Sequence, residues 1–199
     1  VVRAVADFSG QRPGHIPEAE LRRAADRRPP AVAALRDLPP SGQETTEHRL
    51  REAAEAFVVV RQRSDGTDGT TILAGYHWFG DWGRDTFIAL PGLLLDAERF
   101  TEARSVLETF AAAQQDGLIP NRFHDYDDGC DYNSVDASLW FIHSACLYAQ
   151  ASGDDASWRN WLGPSCERVV EAFVAGTRFN IFVDADGLVS CGDPGTQLT

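Results

Sequence analysis

Two patterns of apolar residues alternate along the chain and predict five helices. One pattern is a single apolar stripe at three- and four-residue spacing, opposite a charged face, which is typical of a helix on a surface. The other is apolar on nearly every side, which is typical of an enclosed helix. The striped helices are predicted at 44–60, 101–114 and 156–175, the last of them broken at Gly163 and Pro164. The enclosed helices are predicted at 85–95 and 136–150.

This alternation indicates an all-α fold, an α/α toroid in which an outer ring of helices wraps an inner one. The links that follow the enclosed helices are short, whereas the links that precede them, 61–84 and 115–135, are long. Alternate links lie at the same end, so we expect the long loops to gather at one mouth, where such loops are usually functional. A third connection, from Arg178, alternates around Asp186 and Gly187 and predicts a β-hairpin.

Residues 1–43 are expected to be the end of a preceding domain plus a linker. The stretch "IPEAELRRAADRRPP" predicts a short helix bounded by prolines, and "LPPSGQ" is typical of a linker. Residues 44–199 then form the main domain. The sequence begins at Val1 and contains no methionine, which predicts either processing or a piece of a longer chain.

Charge and composition narrow the classes of partner. The net charge of −12 argues against nucleic acid, and no apolar run suggests a membrane span or a signal peptide. A neutral partner such as a carbohydrate fits this charge better. We expect the protein to be cytoplasmic. All 18 basic residues are arginine, so catalysis by a lysine of this chain is excluded. The four cysteines include no CxxC pair and are expected to be buried free thiols.

The first long loop ends in a cluster that suits sugar binding, which consists of Trp78, Asp81, Trp82, Arg84 and Asp85. Aromatic faces stack on pyranose rings, while carboxylate and guanidinium groups hydrogen-bond to vicinal hydroxyls in fixed geometry. Arg84 and Asp85, adjacent at a helix start, can grip two neighbouring hydroxyls. Spacing alone equally allows Asp85 to cap the helix and pair with Arg84.

The second long loop adds Asn121, Tyr132, Asn133 and Asp136, the last again at the start of an enclosed helix. Taken alone, Asp136 fits a plain N-cap as well as a ligand. Repetition favours the ligand hypothesis, because an aromatic and acidic cluster precedes each of the two enclosed helices. The toroid brings both clusters to one mouth, where we expect a sugar-binding pocket.

No metal or cofactor site is expected. The acidic run "HDYDDGCDY", from His124 to Tyr132, lacks the DxDxDG order of a calcium loop and is interpreted as a solvated loop. His77 and His143 have no metal partner at helical spacing.

Four stretches resemble successive motifs of the glycogen debranching enzyme family, in its C-terminal amylo-α-1,6-glucosidase domain. They are "AGYHWFGDWGRDTFIALPGLLL", "GLIPNRF", "YNSVDASLWF" and "DADGLVSCGDPGTQLT". The resemblance covers residues 44–199 and implies a six-hairpin glycosidase with an (α/α)6 barrel. The chain would then hold about five of the twelve helices of that toroid, with short β-hairpins in its long loops.

The resemblance further implies inverting hydrolysis of α-1,6-linked glucose at branch points of glycogen or limit dextrin. Arg84 and Asp85, in the W-x-R-D element that starts at Trp82, are implied to hold hydroxyls of the sugar at the cleavage subsite. An inverting enzyme needs a general acid and a general base, and in the family both follow the "DPGTQLT" motif. No catalytic residue is therefore expected here, with Asp136 a weak candidate, and the isolated fragment is expected to be inactive.

Other classes stay open beside this one. Another α/α-toroid enzyme is possible, either glucoamylase-like, an epimerase or a zinc-dependent lipid transferase. An epimerase would place histidine pairs at the mouth, and the lipid enzyme an Asp-Cys-His set. A non-enzymatic helical scaffold would show a fixed repeat period and short links at both ends. None of these features is evident in the sequence.

Overall fold

The computed structural model describes residues 46–63, 65–75, 79–124, 129–194 and 196. The chain divides into two compact units, Val1–Arg49 and Leu50–Thr199, and the second unit contains nearly all of the described residues. Its helices are α1 (Thr46–Glu55, which begins in the first unit), α2 (Gly83–Leu90), α3 (Phe100–Ala112), α4 (Asp136–Ser152), α5 (Asp155–Ser157) and α6 (Gly163–Ala175). Its strands are β1 (Val58–Gln62), β2 (Asp68–Ile72), β3 (Arg122–Phe123), β4 (Cys130–Asp131), β5 (Phe182–Val183) and β6 (Val189–Ser190).

The enclosed character of 85–95 and 136–150 predicts that these two helices pack side by side, and they do so. A buried hydrogen bond joins them. α2 continues into a π-helical turn, Pro91–Leu95, because Pro91 has no N–H to donate to the carbonyl of Phe87 one turn earlier. Ser144 of α4 donates to that freed carbonyl at 2.8 Å, so a buried acceptor is satisfied across the helix interface. The bond ties the position of α2 to that of α4.

A chain of phenylalanine rings forms the centre of the core. Phe87 of α2 lies edge-on to Phe110 of α3 and to Phe141 of α4, with centroids 4.8 and 5.5 Å apart. Phe110 in turn contacts Phe123 of β3 at 4.8 Å. Each buried ring contributes about 1.5–3 kcal/mol of burial free energy, so these contacts fix three helices and one loop together. On the outer side of α2, Ile88 is 50% exposed, so that helix is less enclosed than its pattern predicts.

The predicted first helix is wrong at its C-terminal end. The helix ends at Glu55, and residues from Val58 onward form β1, which pairs with β2 in antiparallel register from Val58 opposite Ile72 to Gln62 opposite Asp68. Three consecutive β-branched valines favour an extended strand over a helix. Leu50, a member of the predicted apolar stripe, is 66% exposed.

The last helical segment is continuous where a break was predicted. The backbone runs from α5 through a π-helical turn, Trp158–Leu162, into α6. Gly163 keeps helical angles, with φ −56° and ψ −53°, and Pro164 occupies the first turn of α6, where a missing N–H is tolerated. The expected hairpin is confirmed, since β5 pairs with β6 and Gly187 adopts φ +80° in the turn.

The long connections contact one another at two points. Trp82 pairs with Arg122 in an antiparallel bridge between the first and second connections. Arg178, at the start of the third, lies 3.5 Å from Asp116 of the second. The described residues thus form a mostly helical protein with short antiparallel strand pairs, which confirms the coarse fold class, while the toroid stays a prediction. No helix in the described ranges is both long and apolar enough to cross a membrane.

Candidate sugar-binding site

The centre of the candidate site is an ion pair between the first turns of α2 and α4. Both helices begin beside the second connection, and Arg84 Nε lies 2.6 Å from Asp136 Oδ2. The contact is close but poorly directed, because within the described part of the chain Arg84 Nε and Nη2 make no hydrogen bond of acceptable geometry. About a quarter of each side chain is exposed. The unbonded Nε and Nη2 are themselves enclosed by the protein, so only the exposed part of each side chain can be reached from solvent.

Asp136 is held from its other side and is not the helix cap that spacing alone allowed. Ser134 Oγ donates to Asp136 Oδ1 at 2.5 Å. The residue before α4 is Val135, which provides no side-chain cap, and the N–H of Ala137 points at Ser134 Oγ at 3.4 Å. Asp136 is thus an oriented carboxylate beside a cation, as a hydroxyl-binding site requires.

The Asp85 side chain lies away from the Arg84–Asp136 pair. Its side chain is exposed and lines a separate cavity of about 520 Å³, mostly apolar, with Phe57, Ile88 and Leu93 among its walls. Successive helical residues point in directions about 100° apart, so Arg84 turns toward α4 and Asp85 turns away. The cap role that spacing also allowed for Asp85 is absent as well, because α2 begins at Gly83 and Trp82 precedes it without a side-chain cap.

Asp81 is buried and fully engaged by an arginine that sequence reasoning did not select. Both Asp81 oxygens accept hydrogen bonds at 2.5 Å from the Nε and Nη2 of Arg61 in β1, and Asp81 is 1% exposed. The same guanidinium stacks on Phe123, 4.9 Å from the ring centroid. This geometry favours a structural role for Asp81, which anchors the loop before α2 to the hairpin.

Trp82 and Asn121 form the seam between the first two connections. The Arg122 guanidinium lies 5.7 Å from the centre of the Trp82 ring. Asn121 is 1% exposed, and its backbone accepts from Gly83 N at 2.8 Å and donates to Asp131 O at 2.7 Å. Sequence reasoning missed Gly83, at which a Cβ would lie 2.4 Å from the carbonyl oxygen of Pro120. The feature of the sequence that could have indicated this close approach is a glycine between Trp82 and Arg84 at a helix start.

Tyr132 is committed to the scaffold through its hydroxyl. That hydroxyl donates to Ala113 O at 2.6 Å, and the guanidinium of Arg178 lies 4.8 Å from the ring centre. Burial raises the pKa of Tyr132 to about 12, so the hydroxyl stays a donor at neutral pH. Asn133 is half-buried next to it. Trp78 lies outside the described residues, as do His77 and positions 125–128 of the acidic run.

Metal-ligating groups do not converge in the described ranges, where no three His, Cys, Asp or Glu side chains could hold an ion. His124 Nε2 lies 3.2 Å from Asp131 Oδ1, a pair that joins the two ends of the acidic run.

All four cysteines are free. Only Cys166 is fully buried, and Cys191 is exposed, so the expected burial holds for just one of them.

The fold and site together define a helical protein that places guanidinium, carboxylate and aromatic groups where two packed helices begin. The family model of amylo-alpha-1,6-glucosidase matches residues 52–199, and the chain belongs to that family. Over 67 residues it is 43% identical to the glycogen debranching enzyme of Saccharomyces cerevisiae. That match covers 34% of this chain and 4% of the yeast protein, so the chain corresponds to a small part of its relative. The resemblance seen in the sequence motifs is confirmed.

Proposed function

We propose that the chain belongs to a glycoside hydrolase of glycogen breakdown, which hydrolyses α-1,6-linked glucose at branch points of glycogen or limit dextrin. The observation that carries this proposal is the Arg84–Asp136 pair, because it lies within the family match and joins two motifs that are distant in sequence. In this proposal the protein acts in the cytoplasm, and the helices belong to a larger (α/α)6 toroid.

The pair fits recognition of a glucose unit. Arg84 presents a guanidinium on a side chain that is 26% exposed, and Asp136 offers an acceptor already oriented by Ser134. A donor and an acceptor side by side match two vicinal hydroxyls of a pyranose, each of which both donates and accepts. Trp82, one residue before α2, supplies an aromatic surface at the same helix start.

The same geometry argues against catalysis by Asp136. An inverting hydrolase needs two carboxyl groups about 6.5–9.5 Å apart, one of which is protonated and donates to the leaving oxygen. Both oxygens of Asp136 already face donors, one from Ser134 and one from Arg84. We therefore assign Asp136 to substrate binding and propose that the general acid and base lie in parts of a longer enzyme outside these 199 residues.

The test is glucose release from a branched limit dextrin by the enzyme that carries this chain. Arg84→Lys keeps the positive charge but removes the planar fork of donors, so turnover should fall while folding survives. Arg159→Lys is the matched control, because Arg159 forms an exposed pair with Asp155 at 2.7 Å far from the helix starts. Equal activity of both variants would show that Arg84 only supports the fold.

A further inference from the structure

A second cleft opens on the side of α3 that faces the β1–β2 turn. It has a volume of about 310 Å³, and its walls include Arg63, Asp65, Glu108, Trp161 and Ser165. We call this the lateral cleft. None of the residues predicted to bind sugar lines it, so it is separate from the Arg84–Asp136 site.

The polar walls of the lateral cleft are held in place by contacts behind them. Arg63 donates through Nε to Thr109 Oγ1 at 3.1 Å and through Nη2 to Ser105 Oγ at 3.1 Å. Its Nη1 has no hydrogen-bond partner among the described residues. Asp65 accepts from the backbone N–H and hydroxyl of Thr67, at 2.9 and 2.6 Å, through Oδ1 alone. A donor and an acceptor are thus oriented and still have bonding capacity.

The charges around the cleft compensate one another. Glu108 lies 3.5 Å from Arg63 and 2.9 Å from Arg104, so two guanidinium groups stand against the carboxylates of Glu108 and Asp65. A phosphate or another strongly charged ligand would meet no excess of opposite charge. The lining instead suits a neutral ligand that is rich in hydroxyl groups.

Trp161 supplies the remaining element of sugar recognition. Trp161 lines the cleft beside Ala111 and Ala112 of α3, so an aromatic residue stands next to the charged donors and acceptors. Pyranose rings present apolar C–H faces and polar edges, and they bind where an aromatic face and fixed hydrogen-bonding groups lie together. The cleft volume is at the low end of small-molecule sites, roughly 300–1,000 Å³, which suits a short stretch of saccharide.

We propose that the lateral cleft is a second, non-catalytic saccharide site that holds a glucan chain away from the Arg84–Asp136 pair. The α-linked class of that glucan rests on the proposed function, whereas the saccharide chemistry rests on the cleft itself. A bound outer chain would keep a branched polymer on the protein while its branch point reaches the other site.

The experiment uses the full chain labelled with 5-fluorotryptophan and titrated with maltoheptaose. The fluorine resonance of Trp161, assigned from a Trp161→Phe variant, reports on the lateral cleft, and that of Trp82 reports on the site beside Arg84. We expect the Trp161 resonance to shift with maltoheptaose and to saturate. Asp65→Asn keeps the acceptor for Thr67 but replaces the open acceptor with an amide, so half-saturation should need about ten-fold more sugar, as for the loss of one charged hydrogen bond.

Each outcome of this titration decides between the two sites. A Trp161 shift that persists in Arg84→Lys and weakens in Asp65→Asn supports the lateral cleft. A shift confined to Trp82, or a Trp161 shift that Asp65→Asn leaves unchanged, overturns the lateral cleft and leaves the proposed function intact. If cellohexaose, a β-linked glucan, shifts Trp161 at lower concentration than maltoheptaose, the α-glucan assignment is overturned.

Discussion

Two arginine–aspartate pairs border the loop before α2, and they differ in how completely their partners are satisfied. In the Arg61–Asp81 pair both carboxylate oxygens receive well-directed hydrogen bonds, and Asp81 is 1% exposed. In the Arg84–Asp136 pair one nitrogen approaches one oxygen, and two guanidinium nitrogens make no directed bond in the described chain. The first pair is closed and holds the fold, whereas the second is incompletely hydrogen-bonded and partly exposed, as the proposed binding role requires.

The comparison separates two uses of the same residue types. A buried charge is tolerated only when its partner neutralises and hydrogen-bonds it, because desolvation of each ion costs several kcal/mol. A binding site needs the opposite, since donors that the fold has already satisfied have little to offer a substrate. Four changes test this division, from the largest expected effect to the smallest.

Arg61→Ala should have the largest effect, because it leaves the Asp81 carboxylate buried without its partner. Breaking a buried pair costs about 3–5 kcal/mol, and the change also removes the stacking of Arg61 on Phe123. Urea denaturation measures the loss in free energy of unfolding. The control is Arg104→Ala, which removes an exposed pair with Glu108 and should cost less than about 1 kcal/mol. Similar losses in the two variants would contradict the closed character of the Arg61 pair.

Arg84→Lys should leave stability nearly unchanged and lower activity instead. Loss of a bidentate donor at a substrate should reduce kcat/KM by about a hundred-fold, which corresponds to roughly 2.7 kcal/mol of transition-state stabilisation. Limit-dextrin hydrolysis and urea denaturation of the same variant separate the two effects. A large loss of stability with normal turnover would place Arg84 in the same structural class as Arg61.

Gly83→Ala tests the close approach that brings the second connection to the start of α2. The new Cβ would lie 2.4 Å from the carbonyl oxygen of Pro120, a backbone atom that moves only with its loop. We expect about 2 kcal/mol of destabilisation, typical of overpacking in a tight site. Gly92→Ala is the control, since a Cβ there meets nothing within 4 Å. If Gly83→Ala and Gly92→Ala melt at the same temperature, the close approach is not needed.

Asp154 offers a third case beside the two arginine–aspartate pairs, because neutral donors satisfy its carboxylate without an arginine in direct contact. Hydrogen bonds from Ser157, and a further one from Tyr148, lower the pKa of Asp154 to about 2. A depressed folded pKa adds stability above the ordinary value of 3.8, and this stability is lost as the pH falls through about 2. Asp154→Asn should therefore cost about 1 kcal/mol at pH 6, since the group is partly solvated.

Chemical denaturation across pH 2–6 follows that difference between the original chain and the Asp154→Asn variant. The difference should shrink toward zero at the acidic end of the range. A pH-independent difference would mean that the cap geometry, and not the carboxylate charge, stabilises the start of α5. Asp155→Asn, at an exposed neighbour paired with Arg159, provides the baseline.

The sequence was sufficient for the features that depend on periodicity. The enclosed character of 85–95 and 136–150 predicted α2 and α4 and their side-by-side packing, because helices apolar on most sides need helical neighbours. The same logic failed at Val58–Gln62, where the apolar residues also fit a helical stripe. This segment is a strand because its consecutive β-branched valines favour extended backbone. Periodicity alone could not resolve a segment that satisfied both patterns.

The candidate site was predicted in composition but not in its pairings. Arg84 and Asp136 were both selected, yet their contact depends on the register between α2 and α4, which one chain's spacing does not encode. Asp81 was selected for its aromatic neighbours, and its burial against Arg61 depends on how a hairpin folds back. Arg61 itself was missed, since it fell at the start of the predicted link 61–84, where an arginine looks like any solvent-facing residue.

The bond between Ser144 and the Phe87 carbonyl also bears on how the chain is made. Pro91 frees that carbonyl early, but its donor is synthesised more than fifty residues later, as is most of the apolar surface of α4 that covers α2. At roughly 5–20 residues per second, translation leaves this face of α2 uncovered for several seconds. Until α4 is made, water hydrates that carbonyl while the leucines and phenylalanines of α2 stay uncovered, so the growing chain offers an apolar face to ribosome-associated chaperones.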